Sequence, residues 1–441
     1  MDKINPRLLQ GFRDFLPEKK RQRDWMINQV KSVYESFGFS PLETPVLEFS
    51  DILLGKYGEE AKRLMYRFKD QGERDVSMRY DLTVPFARVI AQYPELVKPF
   101  KRYQVAPVWR ADSPQAGRYR EFYQFDVDVA GSSSTLADSE MVNLISTSMQ
   151  SLGIAKFNIR INNRKVLNGL IEWAKIDKDD STKVFQLIDK IEKISAEDFE
   201  KSLLDILSAS QTEKILEFVK TKGINSQIIA KLKEIFVDNS IGLEGTEELE
   251  ETVNYLQAAE VDMDIIKIDL SIARGLDYYT GIVYETILLD APEFGSVFSG
   301  GRYDELIGYF IGTNVPAVGV SLGVDRLFAA MEKLELLPKV TDGTQVLVTV
   351  FEENPTDSVK IAQILRENNI KTEIYLGGKS ALGPQLTYAN KLAVPVCVIT
   401  FADQVAKDIY TVKKMTEKFG ENEQIETNFD GLIDTVKKML E

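Results

Sequence analysis

The chain has 441 residues, 44% of them hydrophobic and 28% charged, a composition that fits a folded protein with room for two or three domains. A formal net charge of −14 argues against a protein that coats nucleic acid with a broad basic surface, while leaving room for local basic patches. The complete absence of histidine excludes a histidine-based triad, an imidazole general base and a histidine-ligated metal site, so catalysis would have to run on arginine, carboxylates, hydroxyls and a bound cation.

The N-terminal stretch MDKINPRLLQGFRDFLPEKKRQRDW has no apolar core of signal-peptide length, and no run is long enough to cross a bilayer, so a cytoplasmic location is expected. Residues 18–37 predict an amphipathic helix, with Pro17 near its first turn, Met26, Val30, Val33, Tyr34 and Phe37 at helical spacing, and Gly38 as the stop. FSPLETPVLEFS is strand-like but interrupted by Pro41 and Pro45, which suits a sheet edge. LMYRFKD and DVSMRYD predict a hairpin about the turn QGER, and a helix starts near Thr83.

The segment Phe100–Gly131 then carries two strand-like runs about a basic loop broken by Gly and Pro. Alternate strand positions share a face, so Arg102, Gln104, Ala106, Val108 and Arg110 point one way in the first run. Phe122, Gln124, Asp126 and Asp128 do so in the second, opposite an apolar face of Tyr123, Phe125, Val127 and Val129. Such alternation fits a half-solvated hairpin with cross-strand ion pairs as well as a substrate hairpin. The loop favours the second, because Arg118 and Arg120 come close to Arg110 across the turn and three guanidiniums suit bidentate phosphate recognition.

Farther on, Asp138 is a candidate N-cap for a helix reaching Leu152, and KFNIRINNR alternates as a strand. Residues 165–261 change to helix-period, Lys/Glu-rich sequence and read as a helical insertion between two halves of a sheet domain. Strand signals return in IIKIDL, GIVYETILL, FGSVFSGG and AVGVSLG. From about Gln345, the runs VLVTVF, TEIYL and VPVCVITF alternate with helical patterns, which argues an α/β domain with a mixed sheet. The lone Cys397, inside VPVCVIT, is expected in the core and not as a nucleophile.

Four further clusters concentrate chemistry. Arg274–Gly281, RGLDYYTG, places an arginine, an acid and two phenols between apolar strands, either as a turn with packed tyrosines or as a ligand-binding element. Ser299–Asp304, SGGRYD, has adjacent glycines that permit a tight turn or close backbone approach to a ligand. Met78–Thr83, MRYDLT, carries an acid and a hydroxyl. The small residues of Gly319–Arg326, GVSLGVDR, allow close helix packing, and the arginine after them favours a ligand.

The hairpin resembles motif 2 of the class II aminoacyl-tRNA synthetases, RYREFYQ resembles the histidyl-tRNA synthetases in particular, and RGLDYYTG is very close to their histidine-specific motif. The helix at 18–37 with its proline-bearing strand resembles motif 1, SGGRYD the second histidine-specific motif and GVSLGVDR motif 3, so nearly the whole chain is covered. The resemblance implies an α+β fold, in which the class II synthetase antiparallel sheet flanked by helices carries a helical insertion and a C-terminal α/β anticodon-binding domain. The implied domains are a catalytic domain in two parts, 1–164 and 262–338, the insertion at 165–261, and the anticodon-binding domain at 345–441. The tail departs from the family's pattern at Phe401–Gln404 and Leu382–Gln385.

Site roles follow from the same resemblance. Arg274 is implied to hold the substrate carboxylate and, with Arg110, to meet charge developing on the reacting phosphate. Arg110 grips the α-phosphate, Arg118 the outer phosphates, Phe122 stacks on adenine, and Arg326 contacts ATP phosphate and adenine. Asp81, Thr83 and Gln124 are implied at the substrate ammonium, Asp128, Tyr279 and Tyr303 at the imidazole, and Gln115 at the tRNA acceptor end, with no residue implied as a metal ligand. The implied reaction is activation of histidine with ATP and Mg2+ and its transfer to the 3′ end of tRNA(His), by a homodimer without a membrane partner. The alternative is a catalytically silent histidine-sensing paralogue, of the kind that regulates ATP phosphoribosyltransferase.

Overall fold

A computed structural model describes residues 4–55, 59–113, 117–273, 278–338, 343–353, 355–378, 381–415 and 423–441. The chain divides into two compact units, Met1–Asp14 with Trp25–Leu337, and Phe15–Asp24 with Pro338–Glu441.

The strands of the first unit are β1 (Ser40–Pro41), β2 (Leu47–Phe49), β3 (Arg67–Lys69), β4 (Asp75–Met78), β5 (Phe100–Trp109), β6 (Glu121–Ala130), β7 (Phe157–Asn163), β8 (Ile266–Ile268), β9 (Ile282–Leu288), β10 (Ser296–Arg302) and β11 (Ala317–Gly323). Eight of them form one sheet in the order β1-β5-β6-β11-β10-β9-β7-β8, antiparallel except for the parallel end pairs β1/β5 and β7/β8. The remaining three form the small sheet β2-β4-β3, in which β3 and β4 make the predicted hairpin. The proline-bearing run therefore splits: Pro41 lies in the edge strand of the large sheet, while Leu47–Phe49 joins the small one.

The predicted alternation in β5 and β6 holds. Tyr103, Phe125, Val127 and Val129 are buried on the apolar face, where Tyr34 of the helix Pro17–Ser36 packs with its ring centroid 4.6 Å from that of Phe125. Met26 and Val30 of that helix are buried as their spacing predicts. The opposite face is polar yet equally dry, with Arg102, Gln104, Asp126 and Asp128 all buried, so the half-solvated hairpin is ruled out. Antiparallel register carries this face across the sheet, setting Arg102 beside Asp128, Asp128 beside Gly319 and Gly319 beside Gly301. In the next row, Gln104, Asp126, Ser321 and Ser299 are neighbours.

Asp138 is not the N-cap. The helix Thr135–Ser151 is capped by Ser134, whose hydroxyl accepts from the Leu136 N–H at 3.2 Å. Asp138 lies one turn inside, buried, and takes the Arg302 guanidinium, whose Nε donates at 3.1 Å. A buried arginine in SGGRYD claims the acid that local capping chemistry would have used. From Arg164 to Ala258 the described residues hold helices and no strand.

The second unit carries β12 (Val346–Val348), β13 (Thr372–Ile374), β14 (Val396–Ile399), β15 (Tyr410–Lys414) and β16 (Gln424–Thr427) in the order β13-β12-β14-β15-β16. β12 pairs in parallel with β13 and β14, and β15 is antiparallel to both β14 and β16, giving the mixed sheet expected. Val346, Val396 and Val412 pack with Ile361, Leu365 and Val436 of the flanking helices. Cys397 is fully buried, and burial pushes its thiol up to about 12, so it is not a thiolate at neutral pH.

Close strand approach in the large sheet depends on a missing side chain at Gly300, where a Cβ would lie 2.2 Å from the Gly319 carbonyl oxygen. Gly300→Ala should lower the urea midpoint, with a stability loss of about 1–3 kcal/mol. A midpoint equal to that of the parent would show that the strands separate there without cost.

Candidate active site

A cavity of about 340 Å³ opens on the polar face of the large sheet. Its floor is built around Asp128. The Asp128 Oδ2 lies 2.7 Å from the Arg102 guanidinium, and its Oδ1 accepts from the Tyr303 hydroxyl. Arg102 also donates to the Leu82 carbonyl at 3.1 Å, with its guanidinium 4.5 Å from the centre of the Phe86 ring. Leu82 and Phe86 belong to the start of the helix Thr83–Gln92 and the residue before it, so this helix lies over the hairpin's cation. A Cβ at residue 319 would lie 1.9 Å from Asp128 Oδ1, which is why a glycine must stand opposite the carboxylate. Burial raises the Asp128 carboxyl, opposed by Arg102 and by the hydrogen bond from Tyr303. Burial and the charge of Asp128 together push the Tyr303 hydroxyl well above its usual value, so it stays a donor.

Two residues along β6 the surroundings change. Gln124 donates through Nε2 to the Ser321 hydroxyl at 2.8 Å, while its Oε1 is buried with no hydrogen bond among the described residues. Asp81 caps the helix Thr83–Gln92 by accepting from the Val84 N–H at 3.1 Å. Tyr278 and Tyr279 close one side, their ring centroids 4.4 Å apart and their hydroxyls 3.1 Å apart. Burial pushes the Tyr278 hydroxyl up to about 12, so both phenols stay protonated at neutral pH.

The other end of the cavity is cationic. Arg110 donates to the Tyr80 carbonyl at 3.0 Å and lies between the Tyr80 and Phe122 rings, 4.3 and 5.1 Å from their centres. Arg118 pairs with Asp112 at 2.8 Å and keeps about half of its side-chain surface in solvent. Arg326 donates to the Ser296 carbonyl. Arg120 departs from the expected trio of guanidiniums: it donates to the Asp112 carbonyl at 3.1 Å and the Gln10 carbonyl, its aliphatic stem packs on Gly11, and it does not line the cavity. Strand alternation alone could not separate it from Arg118, because the loop between the two runs breaks the period.

Asp81, Thr83, Arg110, Arg118, Phe122, Gln124, Asp128, Tyr279, Tyr303 and Arg326 all line this one cavity. Arg274 and Gln115 lie outside the described residues. Sequence reasoning gave no role to Arg102, Asp126, Tyr278 or Ser321, although alternation had already put Arg102 and Asp126 on the right face. What was missing was the register that joins β5, β6 and β11.

Residues 11–327 match the family model described as histidyl-tRNA synthetase. The chain belongs to the histidyl-tRNA synthetase family. Residues 345–439 match a second model, described as an anticodon binding domain. A histidine–tRNA ligase of Clostridium tetani is 41% identical over 420 residues, spanning 94% of this chain and 95% of the relative. One of Rhodopirellula baltica is 42% identical over 419 residues, spanning 94% of each. The crystal structure of histidyl-tRNA synthetase from Nostoc sp. PCC 7120 superposes with a TM-score of 0.86 at 34% identity, covering 99% of this chain and all of that one. The α+β architecture with its separate C-terminal sheet is that of the class II synthetases.

Removing the cation from the floor should be costly. Arg102→Met leaves Asp128 buried without its counter-charge, and a loss of about 3–5 kcal/mol is expected in chemical denaturation. A loss below about 1 kcal/mol, the value typical of an exposed pair, would mean that water reaches this pair.

Proposed function

We propose that the chain activates histidine with ATP in this cavity and transfers the histidyl group to the 3′ end of tRNA(His). One observation carries the reading: segments around residues 81, 118, 279, 303 and 326, far apart in sequence, set guanidiniums with Asp112 and Asp325 toward one end of a single cavity and the β6 carboxylates with phenols toward the other. That polarity suits a substrate with phosphates at one end and an aminoacyl group at the other.

In this reading Arg110 grips the α-phosphate, Arg118 the outer phosphates, Phe122 the adenine ring, and Arg326 both phosphate and adenine. Asp81, Thr83 and Gln124 take the ammonium, and the imidazole sits over the floor that Asp128, Tyr279 and Tyr303 build. Arg274 holds the carboxylate and, with Arg110, stabilises the charge that develops as the carboxylate displaces pyrophosphate in line. No protein nucleophile or imidazole base is required, which suits a chain without histidine. Mg2+ is proposed to accompany ATP. Asp112 and Asp325, the carboxylates at the arginine end, are each held by a guanidinium, Arg118 and Arg13, so the phosphates would supply most of the ion's ligands.

Gln115 is assigned to the tRNA acceptor end, and the tail from 345 to 441 to the anticodon. The proposed catalytic domain comprises 1–164 and 262–338, with the insertion at 165–261. The proposed assembly is a homodimer, supported by the exposed apolar residues Leu47, Phe49 and Phe68 of the small sheet. Among the described residues no helix is long and apolar enough to cross a membrane, and a cytoplasmic location is proposed.

The test is histidine-dependent ATP–pyrophosphate exchange followed by charging of tRNA(His). The parent chain should perform both, and Arg274→Ala should reduce exchange by roughly 100-fold or more while leaving the melting profile unchanged. A parent chain that binds histidine without exchange would instead be a silent sensor.

A further inference from the structure

Resting on the histidine reading above, we infer that Asp126 is the carboxylate that accepts the imidazole N–H of the substrate, and that Asp128 positions the floor without contacting the ligand. The two acids share one face of β6, and each is 2% exposed. Their surroundings differ. Asp128 accepts from the Tyr303 hydroxyl through Oδ1, and its Oδ2, though without a hydrogen bond among the described residues, lies 2.7 Å from the Arg102 guanidinium. Asp126 lines the cavity with neither oxygen hydrogen-bonded among the described residues.

None of the described groups beside Asp126 hydrogen-bonds it. Gln104, its neighbour on β5, bonds Thr44 at 3.1 Å. Ser321, its neighbour on β11, accepts from Gln124, and its hydroxyl falls short of hydrogen-bonding geometry with Asp126. Arg102 pairs with Asp128 and donates to the Leu82 carbonyl through Nη2, while its Nε and Nη1 make no hydrogen bond among the described residues, to Asp126 or to any other group. An unpartnered buried carboxylate costs the fold free energy, and such a cost is characteristic of a binding site whose partner arrives with the ligand. Burial raises the Asp126 carboxyl well above the usual range, with Arg102 and the adjacent Ser321 hydroxyl opposing and Asp128 and Asp81 adding to the effect.

Shape and order along the strand identify the donor. Tyr278, Tyr279 and Tyr303 line the same cavity as Asp126. The Tyr278 ring centroid lies 4.4 Å from that of Tyr279 and 6.3 Å from that of Tyr303, a wall suited to a flat ring. A neutral imidazole presents one N–H donor and one acceptor nitrogen, matching one carboxylate and one phenol. The bare Gln124 Oε1 lies two residues nearer the arginine end, where Asp81 and Thr83 provide for an ammonium. Taken from the phosphates inward, ammonium and then ring meet Gln124 and then Asp126.

The test compares Asp126→Ala and Asp126→Asn with Asp128→Asn in the full-length chain, using pyrophosphate exchange with histidine and with thiazolylalanine, whose ring has no N–H. Asp126→Ala should shrink the parent's preference for histidine over thiazolylalanine by at least about tenfold, with KM for ATP within about twofold of the parent. Without ligand, Asp126→Asn should melt at or above the parent temperature, whereas Asp128→Asn, which strands Arg102, should melt well below it. A preference unchanged in Asp126→Ala would overturn the inference, as would an equal loss for both amino acids, which would move the contact to the ammonium. If the alanine variant does not fold, the asparagine variant is read for the same preference, with a smaller decrease expected because its amide oxygen can still accept. Absence of histidine-dependent exchange in the parent would overturn the histidine reading itself and this inference with it. Exchange in the parent with discrimination intact in the variant overturns only the role of Asp126.

Discussion

The ion pair between Arg102 and Asp128 fixes the rest of the site. Its partners are neighbours in register on β5 and β6 and are desolvated, and such a pair offsets its desolvation cost only with good geometry and further contacts. Tyr303 from beyond β10 and the Leu82 carbonyl supply part of this, the Phe86 ring of the overlying helix lies against the guanidinium, and Gly319 of β11 leaves the space, while Arg102 Nε and Nη1 stay without a hydrogen bond among the described residues. Five chain segments must therefore meet correctly before this floor can form. The floor is consequently rigid, since a shift of any one segment exposes or strands a buried charge.

A rigid, dry floor and a half-exposed cationic mouth divide the labour of the cavity. Tyr278, Tyr279 and Tyr303, all held protonated by burial, offer fixed dipoles around a small ring. Arg110 is immobilised between the Tyr80 and Phe122 rings, whereas Arg118 reaches toward solvent. Fixed donors aimed at developing charge need no reorganisation during reaction, which is the largest contribution available to a site without an imidazole.

Much of this was legible because period-two alternation is local. It placed Arg102, Gln124, Asp126 and Asp128 on one face of a hairpin before any contact was known, and helical spacing did the same for Met26 and Val30. Long-range effects were not legible. Asp138 offered good capping chemistry but was claimed by Arg302, which is 164 residues away in the chain. Arg120 and Arg118 are two residues apart in one loop, yet one turns to Gly11 and the other to the cavity. The distinction between Asp126 and Asp128 is of the same kind, since identical side chains on one face differ only in what β11 and the segment after β10 bring to them.

The central claim is that this floor exists before substrate arrives and receives an imidazole. A crystal structure of the chain with histidinol and ATP addresses it most directly, because histidinol keeps the ring and the ammonium but cannot react. The account predicts the imidazole among Tyr278, Tyr279 and Tyr303 against Asp126 of β6, with the Arg102–Asp128 pair and the Tyr303 hydrogen bond unchanged. A ring bound elsewhere, or an Arg102–Asp128 pair broken to admit it, would contradict the account.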